Sequence, residues 1–133
     1  MNARYPAVAK RAGHRCEYCR APEVIFNFAF EVEHVVPVSR QGADEESNLA
    51  LACRACNLYK TAQLTGKDDT TQSELRLFHP REDRWDEHFA IDLDTCAIHG
   101  RTPIGRATVA CLRMNPPMQV EARRQWLRLG LFP

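Results

Sequence analysis

Apolar and polar positions alternate most clearly between residues 24 and 36, where Phe28, Phe30 and Val32 occupy every second position. Aromatic and β-branched residues are typical of strands, so this segment predicts one long strand or a bent pair of strands. Pro37 follows the run and ends it, because proline has no amide hydrogen to donate to a sheet ladder.

The chain after Pro37 predicts a loop, a short strand and a helix. Residues 39–47 are turn-forming or charged, and residues 49–52 read Leu-Ala-Leu-Ala, which indicates a short return strand. A helix is expected to follow from Cys53 to about Gln63. The predicted order over this part of the chain is therefore strand, loop, strand, helix.

The remaining elements are shorter and more local. Thr102 followed by Pro103 indicates a helix start, with a capping side chain and proline at the first helical position. The further expectations are a helix at 5–14, a loop at 65–71, a hairpin at 89–99, a helix from 103 to about 114, and a last helix at 118–129 ended by Gly130. Together these elements predict a small α+β protein with a C-terminal hairpin and two-helix extension.

The length of 133 residues predicts one domain over residues 1–133, with a core at 16–63 and an extension at 75–133. No segment has the pattern of a signal peptide or a membrane span, so a soluble cytoplasmic protein is expected. The net charge is only +1. Basic residues are nevertheless concentrated at both ends of the chain, which either form a basic face together or carry incidental surface charge.

Four of the six cysteines form two Cys-x-x-Cys pairs, Cys16 with Cys19 and Cys53 with Cys56. Four thiolates at this spacing predict a tetrahedral Zn²⁺ site, and its lack of an open coordination position indicates a structural role. Reduced thiols at a coincidental spacing are the alternative. The two pairs flank the predicted strand-loop-strand unit, so the zinc is expected to join both of its ends.

A carboxylate, an imidazole and two carboxamides lie within or beside this unit: Glu33 and His34 at the end of the β-like run, Asn48 after the loop, and Asn57 directly after Cys56. With the two cysteine pairs, this pattern resembles the HNH endonucleases, whose active element is a ββα-metal (His-Me finger) unit. Residues 75–130 more weakly resemble an extension of one bacterial HNH subgroup, which carries no mechanism.

The resemblance implies a metal-dependent nuclease that hydrolyses phosphodiester bonds of double-stranded DNA. In this interpretation His34 is the general base, Asn48 braces the loop that aims it, and Glu33 and Asn57 hold Mg²⁺ or Mn²⁺. Many HNH proteins have a histidine at the position of Asn57, and the amide oxygen favours these harder cations. The candidate phosphate contacts are Arg40, Arg54, Lys60, Arg123, Arg124 and Arg128.

Two points stay open at the level of sequence. Neighbours on a regular strand point to opposite faces, so Glu33 and His34 share a site only if the strand ends or bulges there. The main alternative function is a non-catalytic zinc-knuckle module that binds nucleic acid or protein, which explains the cysteines but not Glu33, His34 and Asn57. A zinc hydrolase of small molecules is disfavoured, because a four-sulfur site is closed.

Overall fold

The computed structural model describes residues 2–133 and confirms a small α+β domain with short antiparallel strands. The strands pair into three two-stranded hairpins. The helices are α1 (Tyr5–Arg11), α2 (Arg54–Lys60), α3 (Trp85–His88), α4 (Pro103–Cys111) and α5 (Pro117–Arg128). The strands are β1 (Glu31–His34), β2 (Leu49–Ala52), β3 (Thr65–Lys67), β4 (Glu74–Arg76), β5 (Phe89–Ile91) and β6 (Ile98–Gly100).

The strands β1 and β2 pair in antiparallel register, from Glu31 opposite Ala52 to His34 opposite Leu49, and α2 follows directly. The predicted order of strand, loop, strand and helix is therefore confirmed. The helix is shorter than expected, because Thr61 has a positive φ of 50° and ends it at the first residue after Lys60.

The long strand or bent pair of strands predicted for residues 24–36 is wrong, because only Glu31–His34 of that segment forms a strand, β1. Residues 23–25 instead form a single 3-10 turn. The carboxylate of Glu23 is nearly buried and accepts hydrogen bonds from the amide of Phe30 (2.7 Å) and the hydroxyl of Tyr5 (2.8 Å). These hydrogen bonds hold the chain before β1 as a loop around the Glu23 carboxylate. The strand propensities of the individual residues do not reveal this arrangement.

The loop predicted for residues 65–71 is also wrong, since its first three residues form β3 and pair with β4. The turn that joins the strands is organised by the fully buried Asp68. Its carboxylate accepts hydrogen bonds from the Nε and Nη2 of Arg106 on α4, at 2.9 and 3.0 Å. At Gly66 a side chain would lie 2.9 Å from the carbonyl oxygen of Ala107, so the glycine allows β3 to approach α4 closely.

The C-terminal extension follows the prediction: a hairpin, a helix capped by Thr102, and a last helix. It packs on the loop between Cys16 and Cys19. The indole Nε1 of Trp85 donates to the carbonyl of Tyr18 at 2.8 Å, and Phe78 packs edge-on against the Tyr18 ring. None of the helices described is long and apolar enough to span a bilayer.

Candidate functional site

The four paired cysteines come together in the structure. Their sulfur atoms all lie within 4.8 Å of one another, and all four residues are buried. The Sγ atoms of Cys19 and Cys53 are 3.7 Å apart, which agrees with the separation of about 3.8 Å expected for two sulfurs at about 2.3 Å from a tetrahedral Zn²⁺. The cluster is therefore compatible with a structural zinc, whereas Cys96 and Cys111 lie outside it.

Local structure holds each cysteine pair in place. Cys53 is the N-cap of α2, and its sulfur accepts the amide hydrogen of Cys56 at 3.5 Å. In the first pair, Arg20 adopts a positive φ of 64° and donates its amide to the carbonyl of Cys16 at 2.9 Å. Contact with Cys16 also raises the pKa of Cys19 well above its usual range. A bound divalent cation would offset this rise in pKa, because it stabilises the thiolate forms of its ligands.

Glu17, which sequence analysis did not single out, fastens the first cysteine pair to the β1–β2 hairpin. Its amide donates to the carbonyl of Leu51 at 2.9 Å, and its carboxylate accepts the amide of the same residue at 2.8 Å. The carboxylate also forms an ion pair with Arg81 of the C-terminal extension. An acid inside a Cys-x-x-Cys loop has no signal that separates this role from an exposed position.

The ring of His34 is oriented by Asp44, a second residue that the sequence did not single out. The Nε2 atom lies 2.9 Å from the Oδ1 of Asp44, and Arg4 approaches the same oxygen at 3.3 Å. The hydrogen bond with His34 and the charge of Arg4 lower the pKa of Asp44. When Nε2 carries the hydrogen and donates it to this carboxylate, Nδ1 has the free lone pair. Nδ1 is then the nitrogen that can accept a proton.

Asn48 is nearly buried and closes the loop between β1 and β2. Its Oδ1 accepts the amide of Val36 at 2.9 Å, and its Nδ2 donates to the carbonyls of Val36 (2.9 Å) and Ala43 (2.8 Å). Val36 is two residues after His34, and Ala43 precedes Asp44. These bonds favour the bracing role expected for Asn48, since they fix the chain on both sides of the histidine and its carboxylate partner.

Glu33 lies in a buried network rather than on an open surface. Its Oε1 accepts the hydroxyl of Tyr18, and its Oε2 is 3.4 Å from the Nζ of Lys60. Burial raises the pKa of the Glu33 carboxyl, against the opposing effects of Lys60 and Tyr18. Lys60 is only 1% exposed and also donates to the carbonyl of Val35 at 2.8 Å. The prediction that Lys60 contacts DNA is therefore wrong.

The carboxylate that contacts Asn57 is that of Glu31, which accepts a hydrogen bond from the Nδ2 of Asn57. Glu31 and Glu33 occupy alternate positions of β1, so both face α2, where Asn57 and Lys60 are one turn apart. Two carboxylates and one carboxamide are hard oxygen donors suited to Mg²⁺ or Mn²⁺. The side chain of Glu31 is 41% exposed, so it remains open to a ligand.

The structure does not bring all predicted active-site residues into contact. β1 pairs regularly through Glu33 and His34 and ends at His34, so the two side chains leave the strand on opposite faces. Within residues 2–133, no hydrogen bond joins His34 to Glu33 or Asn57; the imidazole instead faces the loop that carries Asp44.

The predicted phosphate contacts divide into exposed and buried residues. Arg40, Arg54 and Arg128 are exposed, and Arg124 is half-buried beside Glu121. Arg123 is fully buried and donates to the carbonyls of Cys96 and Met114, both at 2.7 Å. The prediction that Arg123 contacts DNA is therefore wrong, because its guanidinium serves as an internal hydrogen-bond donor.

Comparison with known proteins agrees with the motif. Residues 16–63 match a family model described as HNH endonuclease. No curated protein and no solved structure matches the chain. The matched segment is about a third of the chain. It begins at Cys16, the first cysteine of the four-cysteine cluster, and includes β1, β2 and α2. Residues 16–63 are therefore similar to the HNH endonucleases.

Proposed function

We propose that the protein is a metal-dependent endonuclease that hydrolyses phosphodiester bonds of double-stranded DNA. The observation that carries this proposal is the match of residues 16–63 to the HNH endonucleases, over a ββα unit whose first strand ends at His34. The four-cysteine cluster holds Zn²⁺ in a structural role in this proposal, because four sulfur ligands leave no position for a substrate.

His34 acts as the general base in the proposed reaction. Its Nδ1 takes a proton from the water that attacks the phosphorus, and the carboxylate of Asp44 stabilises the positive ring that results. Asn48 keeps the loop between the two residues in place through its three bonds to the backbone. The expected products carry 5′-phosphate and 3′-hydroxyl ends, as the resemblance to HNH endonucleases implies.

The carboxamide of Asn57 and the carboxylates of β1 would supply the ligands for Mg²⁺ or Mn²⁺. These carboxylates leave β1 on the face opposite His34, so the proposed reaction requires the phosphate to lie across the end of the strand, where β1 stops at His34. The sequence assigned Glu33 to this role together with Asn57. Glu31 joins them as a further candidate, since it already contacts Asn57 and is partly exposed, with its cationic neighbour Arg54 at 4.0 Å, whereas Glu33 is buried 3.4 Å from Lys60. The cation, when bound, stabilises negative charge on the phosphate and the leaving oxygen.

A plasmid-nicking assay in Mg²⁺ or Mn²⁺ tests the proposal, with wild type compared with His34→Ala. We expect the variant to lose at least about 100-fold in rate, since general-base catalysis contributes about that much. His99→Ala is the matched control, because His99 is exposed on β6 and should leave the rate unchanged. Wild-type protein that binds DNA but cuts it with neither metal would favour the alternative, a non-catalytic zinc-stapled nucleic-acid-binding module.

The choice between the two glutamates is tested by titrating Mg²⁺ in the same assay. We expect Glu31→Gln to raise the Mg²⁺ concentration for half-maximal rate at least about tenfold, because a carboxylate ligand becomes a neutral amide. Glu33→Gln serves as the comparison at the same face of β1. A normal Mg²⁺ requirement in Glu31→Gln together with a raised one in Glu33→Gln would leave Glu33 as the carboxylate ligand.

A further inference from the structure

A cleft with a volume of about 310 Å³ lies beside the first cysteine pair, and none of the lining residues that the structure describes belongs to β1 or α2. Its wall includes Arg11 at the end of α1, Arg15 just before Cys16, and Arg20 just after Cys19. Three guanidinium groups around one open cleft indicate a site for anions, provided that nearby carboxylates do not neutralise them.

Two of these arginines have no carboxylate partner within residues 2–133. The guanidinium of Arg11 donates to the carbonyls of Glu46 (2.9 Å) and Leu49 (2.5 Å), and that of Arg15 donates to the carbonyl of Arg20 (3.3 Å). Carbonyl oxygens orient a guanidinium without cancelling its charge. The positive charges of Arg11 and Arg15 are therefore held in place and remain available to an anion.

The acidic side chains that line the cleft, Glu17 and Asp83, are already paired with other arginines. Glu17 forms an ion pair with Arg81, and Asp83 accepts two hydrogen bonds from Arg76 at 2.7 and 2.9 Å. Burial and the nearby charge of Arg11 lower the pKa of Arg81 to about 10. The cleft consequently carries uncompensated positive charge at Arg11 and Arg15.

The third arginine is held by an aromatic ring. The guanidinium of Arg20 lies 4.1 Å from the centre of the Trp85 ring, and it is 3.6 Å from a carboxylate oxygen of Asp86. Stacking and the ion pair restrict this side chain, so less conformational freedom is lost when it meets a ligand. Because Arg20 covers the indole, Trp85 supports a cation here instead of stacking on a base.

The cleft is connected to the candidate base through Arg11. This arginine donates to the carbonyl of Leu49, and Leu49 is the residue opposite His34 in the β1–β2 pairing. The Leu49 carbonyl that accepts this bond points away from β1, so an anionic chain that reaches Arg11 lies at the outer edge of β2, one strand away from His34. Arg11, Arg15 and Arg20 follow one another from the end of α1 to the residue after Cys19. The cleft therefore offers a polyanion several cationic groups in sequence.

We propose that this cleft, defined by Arg11, Arg15 and Arg20, binds the phosphate backbone of the nucleic acid and leads one strand to His34. The proposal rests on the proposed nuclease function, which supplies a DNA substrate. Its ligand is a chain of phosphodiesters, bound by charge and hydrogen bonds and without recognition of base sequence.

Binding of a fluorescent DNA duplex, measured over a range of salt concentrations, tests the proposal. All proteins carry His34→Ala so that the duplex stays intact. We expect Arg11→Gln and Arg15→Gln each to weaken binding about tenfold and to reduce the slope of log K against log salt concentration by about one. Lys10→Gln is the matched control, since Lys10 is an exposed cation of the same helix that does not line the cleft.

The outcomes separate the cleft from the chemistry. Arg11→Gln and Arg15→Gln proteins that bind like Lys10→Gln would overturn the cleft proposal, even if His34→Ala abolishes cleavage. Reduced slopes with an uncleaved plasmid would support the cleft and refute the nuclease. Arg15→Lys should keep the slope, because it keeps the charge, and it gives a valid comparison if Arg11→Gln unfolds. Binding of inorganic polyphosphate but not of duplex DNA would also overturn the proposal.

Discussion

Replacing Lys60 by methionine tests the internal role that the structure gives this residue. Lys60 is 1% exposed, lies 3.4 Å from the carboxylate of Glu33, and donates to the carbonyl of Val35 at 2.8 Å. These two partners are the residues directly before and after His34. The Lys60→Met variant keeps the length of the side chain and removes its charge, so the Glu33 carboxylate is left buried with only the hydroxyl of Tyr18.

The expected loss of stability follows from the geometry. Two unit charges 3.4 Å apart attract each other by about 5 kcal/mol at an effective dielectric constant of about 20. The cost of burying the ammonium offsets part of this attraction, and the lost bond to Val35 adds about 1 kcal/mol or more. We therefore expect Lys60→Met to lower the free energy of unfolding by about 3 to 5 kcal/mol, the usual range when one partner of a buried pair is removed.

Urea unfolding of zinc-loaded protein measures this loss, followed by tryptophan fluorescence and far-ultraviolet circular dichroism. The double variant Lys60→Met with Glu33→Gln removes both charges and leaves an amide oxygen that accepts the Tyr18 hydroxyl. We expect it to recover about 2 kcal/mol relative to Lys60→Met alone, as a coupling energy between contacting residues. Lys67→Met is the control for loss of a lysine charge, since Lys67 is exposed on β3.

Two results would refute the reasoning. The first is a loss below about 1 kcal/mol in Lys60→Met, which is the range of an exposed ion pair. The second is a double variant as unstable as the single one, which would mean that the charge of Glu33 is not what Lys60 compensates. DNA binding gives an independent check. Because Lys60 is buried, Lys60→Met protein that stays folded should show the same salt dependence of DNA binding as wild type.

Three further predictions concern the base, the zinc and an internal ion pair. Asp44→Ala should lower kcat about tenfold with little change in KM, since about 1.4 kcal/mol of orientation at His34 is lost; an unchanged kcat would contradict this role. Metal analysis should find one zinc per chain, and Cys56→Ser should lose it whereas Cys111→Ser keeps it. The pKa of Asp68 is held well below its usual range by its arginine partner on α4, so its contribution to stability is present above about pH 4 and is lost as the pH falls further. Urea midpoints of wild type and Asp68→Asn should therefore differ at pH 7 and converge at lower pH.

The sequence was sufficient for features that depend on spacing. The pairing of Cys16 with Cys19 and of Cys53 with Cys56 identified the cluster, because a two-residue gap between cysteines is specific to few structures. The capping of α4 by Thr102 was also predictable, since the hydroxyl and the following proline are local signals. Each of these features involves residues that are close together in the chain.

Features that depend on a distant partner were missed. In the sequence, Lys60 and Arg123 cannot be distinguished from exposed cations. In the structure, Lys60 compensates the charge of Glu33, and Arg123 donates to buried carbonyl groups. The pairing of Asn57 with Glu31 depends on how α2 packs against β1, which the order of elements does not determine. Asp44 lies among other acids in its loop, so only the folded chain distinguishes the one that contacts His34.

The contact of the C-terminal extension with the first cysteine loop bears on how this domain can be divided. Trp85, Phe78 and Arg81 contact Tyr18 and Glu17, which lie between the first two cysteines. A fragment cut after residue 63 would contain the whole family-matched segment but would expose the tyrosine ring and leave the glutamate without its arginine. Residues 16–63 of this protein are therefore not expected to fold independently of the extension. Fusions or truncations should retain the extension as part of the folding unit.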